Sequence, residues 1–300
     1  MTAVTAPTEA LESLKSRARA RRGFGPGSIV KYALVLLFLI LVLMPLYVLI
    51  VTSFKSGADI GVTSQWNLPE KWTTASWDKA WTALRPSFIR TFELAIPVAV
   101  ISSVLGAANG FVLSRWRFPG ADVVFTLILF GMFIPYQAVM IPLRQIVTAM
   151  YESLIQFPAP GIPTLVVVHC IYGIPICTLI FRNYYATTVP DELVEAARVD
   201  GAGLLRTFAW IILPISMPGF VVTVIWQFTS AWNDYLFAIF LSNTRNGPIT
   251  IALNALAGAQ SPDYAASMAG ALITSLPTLI VYVLLGRWFI GGLMAGSVKS

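Results

Sequence analysis

Six stretches of the chain hold no Asp, Glu, Lys or Arg: residues 32–54, 94–114, 123–143, 153–181, 207–233 and 264–286. Each is at least as long as the roughly 20 apolar residues that a helix needs to cross a bilayer. A water-soluble globule cannot be drawn around six such stretches. Charged residues are only 11% of the chain, against about 25% in a soluble domain, and those are the residues that normally face water. Intrinsic disorder is excluded from the other side, because 57% of the residues are apolar and the mean hydropathy is +0.75. The chain is therefore expected to be all-α, a polytopic membrane protein with six transmembrane helices.

Prolines and glycines refine those spans. Pro158, Pro160 and Gly161 place the start of the fourth helix near Ile162, and Pro214 and Pro218 place the membrane part of the fifth near Gly219. Pro45, Pro97, Pro135, Pro175 and Pro277 fall inside spans, where proline kinks a helix. A seventh run, 246–262, carries Asn246, Asn254 and Gln260 and reads as a re-entrant or surface loop. The first run exceeds the usual 7–15 residues of a signal-peptide core and is followed by no small-residue cleavage site, so it reads as an uncleaved anchor.

Orientation follows from the basic residues. With the N-terminus inside, the inner segments hold 13 Lys and Arg and the outer segments 7, which puts both termini in the cytoplasm. The same bias explains the net charge of +6 without invoking nucleic acid. The expected organisation is a basic cytoplasmic tail (1–30), a six-helix transmembrane domain (31–290) with a long inner loop at 187–218, and a cytoplasmic C-terminal tail (291–300). The first outer loop, 55–90, carries Trp66, Trp72, Trp77 and Trp81, either as an aromatic belt or as a surface for an extracytoplasmic partner. Cys170 and Cys177, seven residues apart on one helix, lie about 10 Å from each other and cannot form a disulfide.

The inner loop is the most specific part of the sequence. Thr188, three residues before Asp191, reads as a helix N-cap with Pro190 in the first turn. Asp191 and Glu192 suit the positive end of the helix dipole. Leu193, Ala196, Ala197 and Asp200 recur at helical spacing over about three turns, and Gly201 suits the left-handed residue that ends a helix. A second amphipathic run, 204–213, leads to Pro214. Helix, glycine turn and helix form a knob for a partner's groove, with Ala196 and Ala197 allowing close approach and Glu195, Arg198 and Asp200 fixing register.

The run Glu195-Ala196-Ala197-Arg198-Val199-Asp200-Gly201-Ala202, followed by Phe208, Ile211, Leu213-Pro214 and Pro218, resembles the EAA loop of ATP-binding-cassette (ABC) importer permeases. Further elements resemble the carbohydrate-uptake class, and within it the maltose-type (MalG-like) subunit. They are Arg115-Trp116-Arg117-Phe118-Pro119-Gly120, Pro135 with Gln137 and Pro142, Trp232-Asn233-Asp234, and Gly292-Leu293-Met294-Ala295-Gly296-Ser297-Val298-Lys299. The resemblance implies a multi-pass permease of a prokaryotic inner membrane that imports a sugar. It implies a second homologous permease, a dimer of ATPase subunits that binds the ATP and Mg, an extracytoplasmic sugar-binding protein, and membrane lipids as partners. It places ATPase docking on Glu195, Ala196, Ala197, Asp200, Gly201, Ala202 and Pro214, and a C-terminal contact with the ATPase at Gly296 and Lys299. In that family the 246–262 segment reaches towards the binding protein, and flexibility at Gly247, Gly258 and Pro262 would suit such a loop.

Other readings are weaker on the residues. The chain has no phosphate loop and no Gly-Lys pair at all, so it does not hydrolyse ATP itself. One histidine and two cysteines within a helix cannot assemble a zinc site, and no nucleophile–base constellation marks an enzyme. A proton- or sodium-coupled transporter would be expected to carry ionisable residues within its spans, and none of the 34 charged residues falls there. A non-sugar solute such as a polyol or sugar phosphate is the nearer alternative. For the substrate path the candidates are Gln137, Trp232, Asn233 and Asp234, whose amides, carboxylate and ring suit sugar hydroxyls and C–H faces. Asp234 reads equally as an interfacial anchor in water. His169, in the fourth span, reads first as an interhelical hydrogen-bonding group and second as a path-lining one.

Overall fold

The structure is a computed structural model. It describes residues 26–56, 59–60, 65–116, 118–153, 159–259 and 262–295, with the side chains of residue 26 and of 287–295 excepted. Among these residues every regular element is helical. In chain order they are α1 (Pro26–Ser53), α2 (Ala75–Phe111, continued by a π turn, Val112–Trp116), α3 (Ala121–Phe133), α4 (Tyr136–Glu152) and α5 (Ile162–Thr188). They continue with α6 (Asp191–Val199), α7 (Leu204–Ile215, with a π turn at Phe208–Ile212), α8 (Met217–Trp232), α9 (Leu236–Leu241), α10 (Ile249–Ala257) and α11 (Tyr264–Ala295).

Helices α1, α2, α5 and α11 are each long and apolar enough to cross a membrane. The bent pairs α3–α4 and α7–α8 bring the number of candidate spans to six if each pair is one span. The third expected span is thus not one continuous helix. Pro135 lacks an N–H and crowds the residue before it, so Ile134 takes an extended backbone (φ −69°, ψ 118°) and the chain turns by 94° between α3 and α4. The fifth breaks at Ser216, between Pro214 and Pro218, with a bend of 81°. Pro45, Pro97, Pro175 and Pro277 sit inside unbroken helices. The start of α5 at Ile162 is where Pro160 and Gly161 place it.

Helix α2 begins at Ala75, so the second half of the expected 55–90 loop is helical. The 246–262 segment also holds a helix, α10, whose Ile249 and Ile251 are buried in the bundle. Gly247 before it does not supply flexibility: an added Cβ would lie 2.6 Å from the Asn243 carbonyl oxygen, so crowding selects glycine there.

The bundle is organised around α2 and α5. An added Cβ on Gly106 would come within 2.2 Å of the Cys177 Cβ, and one on Gly110 within 2.7 Å of the Phe181 Cβ. Small residues four apart let the two backbones approach closely, the usual device where lipid supplies no hydrophobic drive between helices. Both cysteines are free and buried in this packing. Two clusters of buried side chains result. One, near the start of α5, gathers Leu94, Val98, Leu165, Trp232 and Ile249. The other, near its end, gathers Phe111, Phe181, Tyr185, Val189, Val194 and Ile212. Most apolar side chains of α1 are exposed, and that helix lies against α11.

Candidate functional site: a surface helix and a polar cavity

The α6 segment is set by its two ends. Helix α5 runs through Thr188, so that residue is not the N-cap; Pro190, in an extended conformation (φ −63°, ψ 144°), is. Proline cannot receive the preceding helix and is preorganised to begin the next one. At the other end Gly201 has φ +76°, the left-handed region. The Gly201 N–H donates to Arg198 O at 3.0 Å and the Ala202 N–H to Ala197 O at 2.9 Å, the paired bonds of a Schellman stop. Nine residues, about two and a half turns, lie between.

One face of α6 is used internally. Val194 and Ala197 are buried, so Ala197 packs inside the chain and leaves close approach by a partner to Ala196 alone. Glu195, Ala196, Asp200, Gly201 and Pro214 are exposed, and Ala202 is half-buried. Around them stand Val199, 88% exposed, Leu205, 80%, and Trp210, 78%. These three apolar residues were not singled out from sequence. Their signal is that they fall off the buried stripe of Val194, Ala197 and Thr207 and so are left exposed among the described residues. Gly296 and Lys299 lie outside the described residues.

Towards the other end of α5, along its middle turns, lies a cavity of about 550 Å³. Its polar lining includes Tyr136, His169, Tyr172, Gln227, Asn233 and Asp234. Asp234 is not an anchor in water: its side chain is 10% exposed. Its carboxylate accepts the N–H groups of Phe237 (3.2 Å) and Ala238 (3.0 Å) and so caps α9. Oδ2 lies 3.3 Å from Nε2 of His169, two turns into α5. The approach is a close contact without hydrogen-bond alignment, and among the described residues the buried Nε2 has no hydrogen-bond partner. The six runs themselves hold no Asp, Glu, Lys or Arg, yet folding back at Asn233 brings the Asp234 carboxylate beside the His169 imidazole. Irregular backbone of this kind is tolerated in a membrane protein where it lines a cavity.

Two expected path residues are placed elsewhere. Trp232 is fully buried, and its indole N–H donates to Thr274 O at 2.9 Å. It packs edge-on to Phe88 and Phe92 and stacks on Phe228, a core position with no face left for a ligand. Gln137 is exposed on the first turn of α4 and does not line the cavity; its neighbour Tyr136 does. Gln227 and Tyr172, unremarked in the sequence, line it, and Gln227 donates to Gly173 O at 3.0 Å. A cavity of the same volume lies beside the α2 π turn, but its Asp122 and Arg182 are paired with each other at 2.9 Å.

At the same end as the polar cavity, Lys79 of α2 reaches Asp263 at 3.0 Å. The Ala266 N–H first, and Lys79 second, hold the Asp263 carboxyl below its ordinary pKa against the opposing effect of partial burial.

A helical membrane bundle with a short capped helix standing off one end and a polar cavity near the other defines a class of transport subunit. The comparisons narrow it. The family model of binding-protein-dependent transport system inner membrane components matches residues 97–291. The xylose/arabinose import permease protein XacI of Haloferax volcanii is 35% identical over 286 residues, 88% of this chain and 91% of that one. A probable ABC transporter permease protein of Pyrococcus horikoshii is 44% identical over 177 residues, 58% of this chain and 61% of the relative. The fold is shared with a solved bacterial ABC transporter involved in the import of the acidic polysaccharide alginate, with a TM-score of 0.71 over 96% of this chain and 100% of that one at 19% identity. The chain belongs to the family of binding-protein-dependent transport system inner membrane components.

Proposed function

We propose that this chain is a permease subunit of an ABC importer that carries a sugar across the cytoplasmic membrane, powered by ATPase subunits that dock on α6. The observation that carries this reading is α6 itself. A nine-residue helix ends in a Schellman turn and exposes Glu195, Ala196 and Val199, with Asp200 at its end and Leu205 and Trp210 of α7 exposed beside it. An exposed apolar cluster on an otherwise capped loop fits a protein–protein contact. Family membership and the import permeases among its relatives support the transport role and the sugar class.

In this reading the bent pairs count as single spans, both termini are cytoplasmic, and α6 lies on the cytoplasmic side. A homologous permease covers the exposed apolar helices, and a binding protein delivers sugar to the opposite face. ATP and Mg are held by the ATPase pair, and the C-terminal residues Gly296 and Lys299 contact it. ATP-driven closure displaces α6 and shifts the bundle between two states, which can happen only if the ATPase binds those states unequally. The cavity at His169, Tyr172, Gln227, Asn233 and Asp234 is where sugar hydroxyls meet this chain on the way through.

The test is uptake into proteoliposomes holding both permeases, the ATPase and the binding protein. Uptake is expected to need ATP and the ATPase subunits and to survive collapse of ion gradients. Because His169 and Asp234 form an ionisable pair inside the bundle, ion coupling is a specific second outcome. Uptake that follows a proton or sodium gradient without the ATPase would sink the importer reading.

A further inference from the structure

The motif that begins at Arg115 has no part in the transport reading above, yet Arg115 makes the densest set of polar contacts on α6 and its surroundings. It lies in the π turn that closes α2, a local widening of the helix that is often found at functional sites. Its side chain is 10% exposed. Nε and Nη2 donate to Tyr185 O at 3.1 and 2.8 Å, Nη2 also to Ala186 O at 2.8 Å, and Nη1 meets the Asp191 carboxylate. Tyr185 and Ala186 are among the last four residues of α5, whose carbonyls form the negative end of its dipole; the Tyr185 carbonyl also accepts the Val189 N–H at 3.1 Å. Asp191 is the first residue of α6. One guanidinium thus serves the end of one helix and the start of the next across Val189 and Pro190.

The next residue of the π turn holds the rest of α6. The Arg198 guanidinium lies 4.2 Å above the Trp116 ring and donates to Trp116 O at 3.4 Å. Between these two attachments Val194 packs into the cluster of Phe111, Tyr185 and Val189. Helix α6 is therefore fastened to α2, from which it is distant in sequence, as well as to α5, from which it continues. Those are the two helices in closest backbone contact at Gly106 and Gly110.

We propose that Arg115 is the positioning residue of coupling: it locks α2, α5 and α6 into one rigid joint, so that a push on α6 moves both long helices together. Without it α6 would be held beyond its two-residue link only by the Val194 packing and the Arg198–Trp116 contact, and part of the displacement would be lost. The planar fork of arginine is required, because three carbonyl bonds and a carboxylate lie in fixed directions that a lysine ammonium does not span. The proposal rests on the reading of α6 as the ATPase dock.

Two measurements test it on the complete transporter. The first is ATP hydrolysed per sugar imported in proteoliposomes. Arg115→Gln is expected to copurify with the ATPase and hydrolyse ATP while that ratio rises about tenfold, the consequence of removing charge-assisted hydrogen bonds. Arg115→Lys should fall between. A ratio within about twofold of wild type in Arg115→Gln overturns the proposal. The second is a spin-label distance between Val199→Cys and Phe118→Cys, both exposed, against a background of two buried native cysteines. The distribution should be narrow when Arg115 is present and broad in Arg115→Gln; an unchanged distribution also overturns the proposal. If Arg115→Gln does not insert, Asp191→Asn, which removes only the exposed α6 half of the joint, decides by the same two readouts with a smaller expected change. A wild-type complex without ATP-dependent uptake would count against the importer reading, and the distance measurement would still decide the joint.

Discussion

The two ends of α5 solve different problems, each with a few polar residues. At its C-terminal end, arginines answer helix termini and carboxylates: Arg115 bonds Tyr185, Ala186 and Asp191, and Arg198 lies on Trp116. Towards its N-terminal end a single carboxylate, Asp234, caps α9 and faces an imidazole whose Nε2 has no hydrogen bond among the described residues, beside a cavity of about 550 Å³. A joint whose charges are answered by backbone and ring holds its shape when pushed. A cavity whose polar groups are only partly answered has bonding capacity left for a ligand. Rigidity at one end and unspent polarity at the other is the division of labour expected of a coupled permease.

The largest effect should come from breaking the first end. Gly201→Pro removes the N–H that bonds Arg198 O and forces a residue with φ near −65° into a position at +76°. Membrane insertion should be normal, because Gly201 is exposed and touches no other helix. Sugar uptake should fall by about tenfold or more. Glu195→Lys reverses charge on the exposed face without disturbing the turn and should reduce uptake in the same direction. Normal uptake in both variants would remove docking from α6.

The second end should be less sensitive and should show graded behaviour. Asp234→Ala loses both N–H acceptors of the α9 cap and the charge beside His169, whereas Asp234→Asn keeps an acceptor oxygen and loses only the charge. Uptake is expected to drop about fivefold in the first and about twofold in the second, the scale of one lost cap. Equal losses would assign the whole effect to charge, and no loss in either would place the sugar path elsewhere.

The packing between the two ends can be probed through stability. Gly106→Ala would put a Cβ 2.2 Å from the Cys177 Cβ, a contact that only separation of α2 and α5 relieves. Overpacking of this sort costs ~1–3 kcal/mol, and the purified complex should melt several degrees lower. A melting temperature equal to wild type would mean that the helices are not held this close.

What was legible in the sequence was whatever is decided locally. The start of α5 follows from Pro160 and Gly161, and the stop at Gly201 from the one residue type at ease with φ +76°. The π turns, the break at Pro135 and the true N-cap at Pro190 were less legible, because proline allows a kink, a break or a first turn and neighbouring helices choose among them. Least legible were the pairs that make the two ends work. Arg115 and Asp191 are separated by the whole of α3, α4 and α5, and His169 of α5 meets Asp234 just past the end of α8. Neither pair leaves a period or a motif in the sequence. Trp232 shows the same limit in reverse, since an aromatic beside Asn233 and Asp234 looks like a sugar platform until Phe88, Phe92 and Phe228 are found on its faces.

The smallest expected effect concerns acid stability at the Asp234 end, where Lys79 joins α2 to the residue before α11. Asp263 has its pKa lowered by the Ala266 N–H and, less, by Lys79. A carboxyl whose folded pKa lies below its unfolded value of about 3.9 contributes stability that is fully present above that value. The contribution fades as pH falls through the lowered folded value. Asp263→Asn should therefore cost a little stability near neutrality and flatten the acid limb of a melting-temperature profile below about pH 4. Lys79→Ala should flatten it less, because the backbone bond that contributes most is left in place. An acid limb equally steep in wild type and Asp263→Asn would show that other carboxylates govern acid unfolding. A larger effect from Lys79→Ala than from Asp263→Asn would reverse the order of the two causes and make the exposed ion pair, rather than the helix start, the feature that joins α2 to α11.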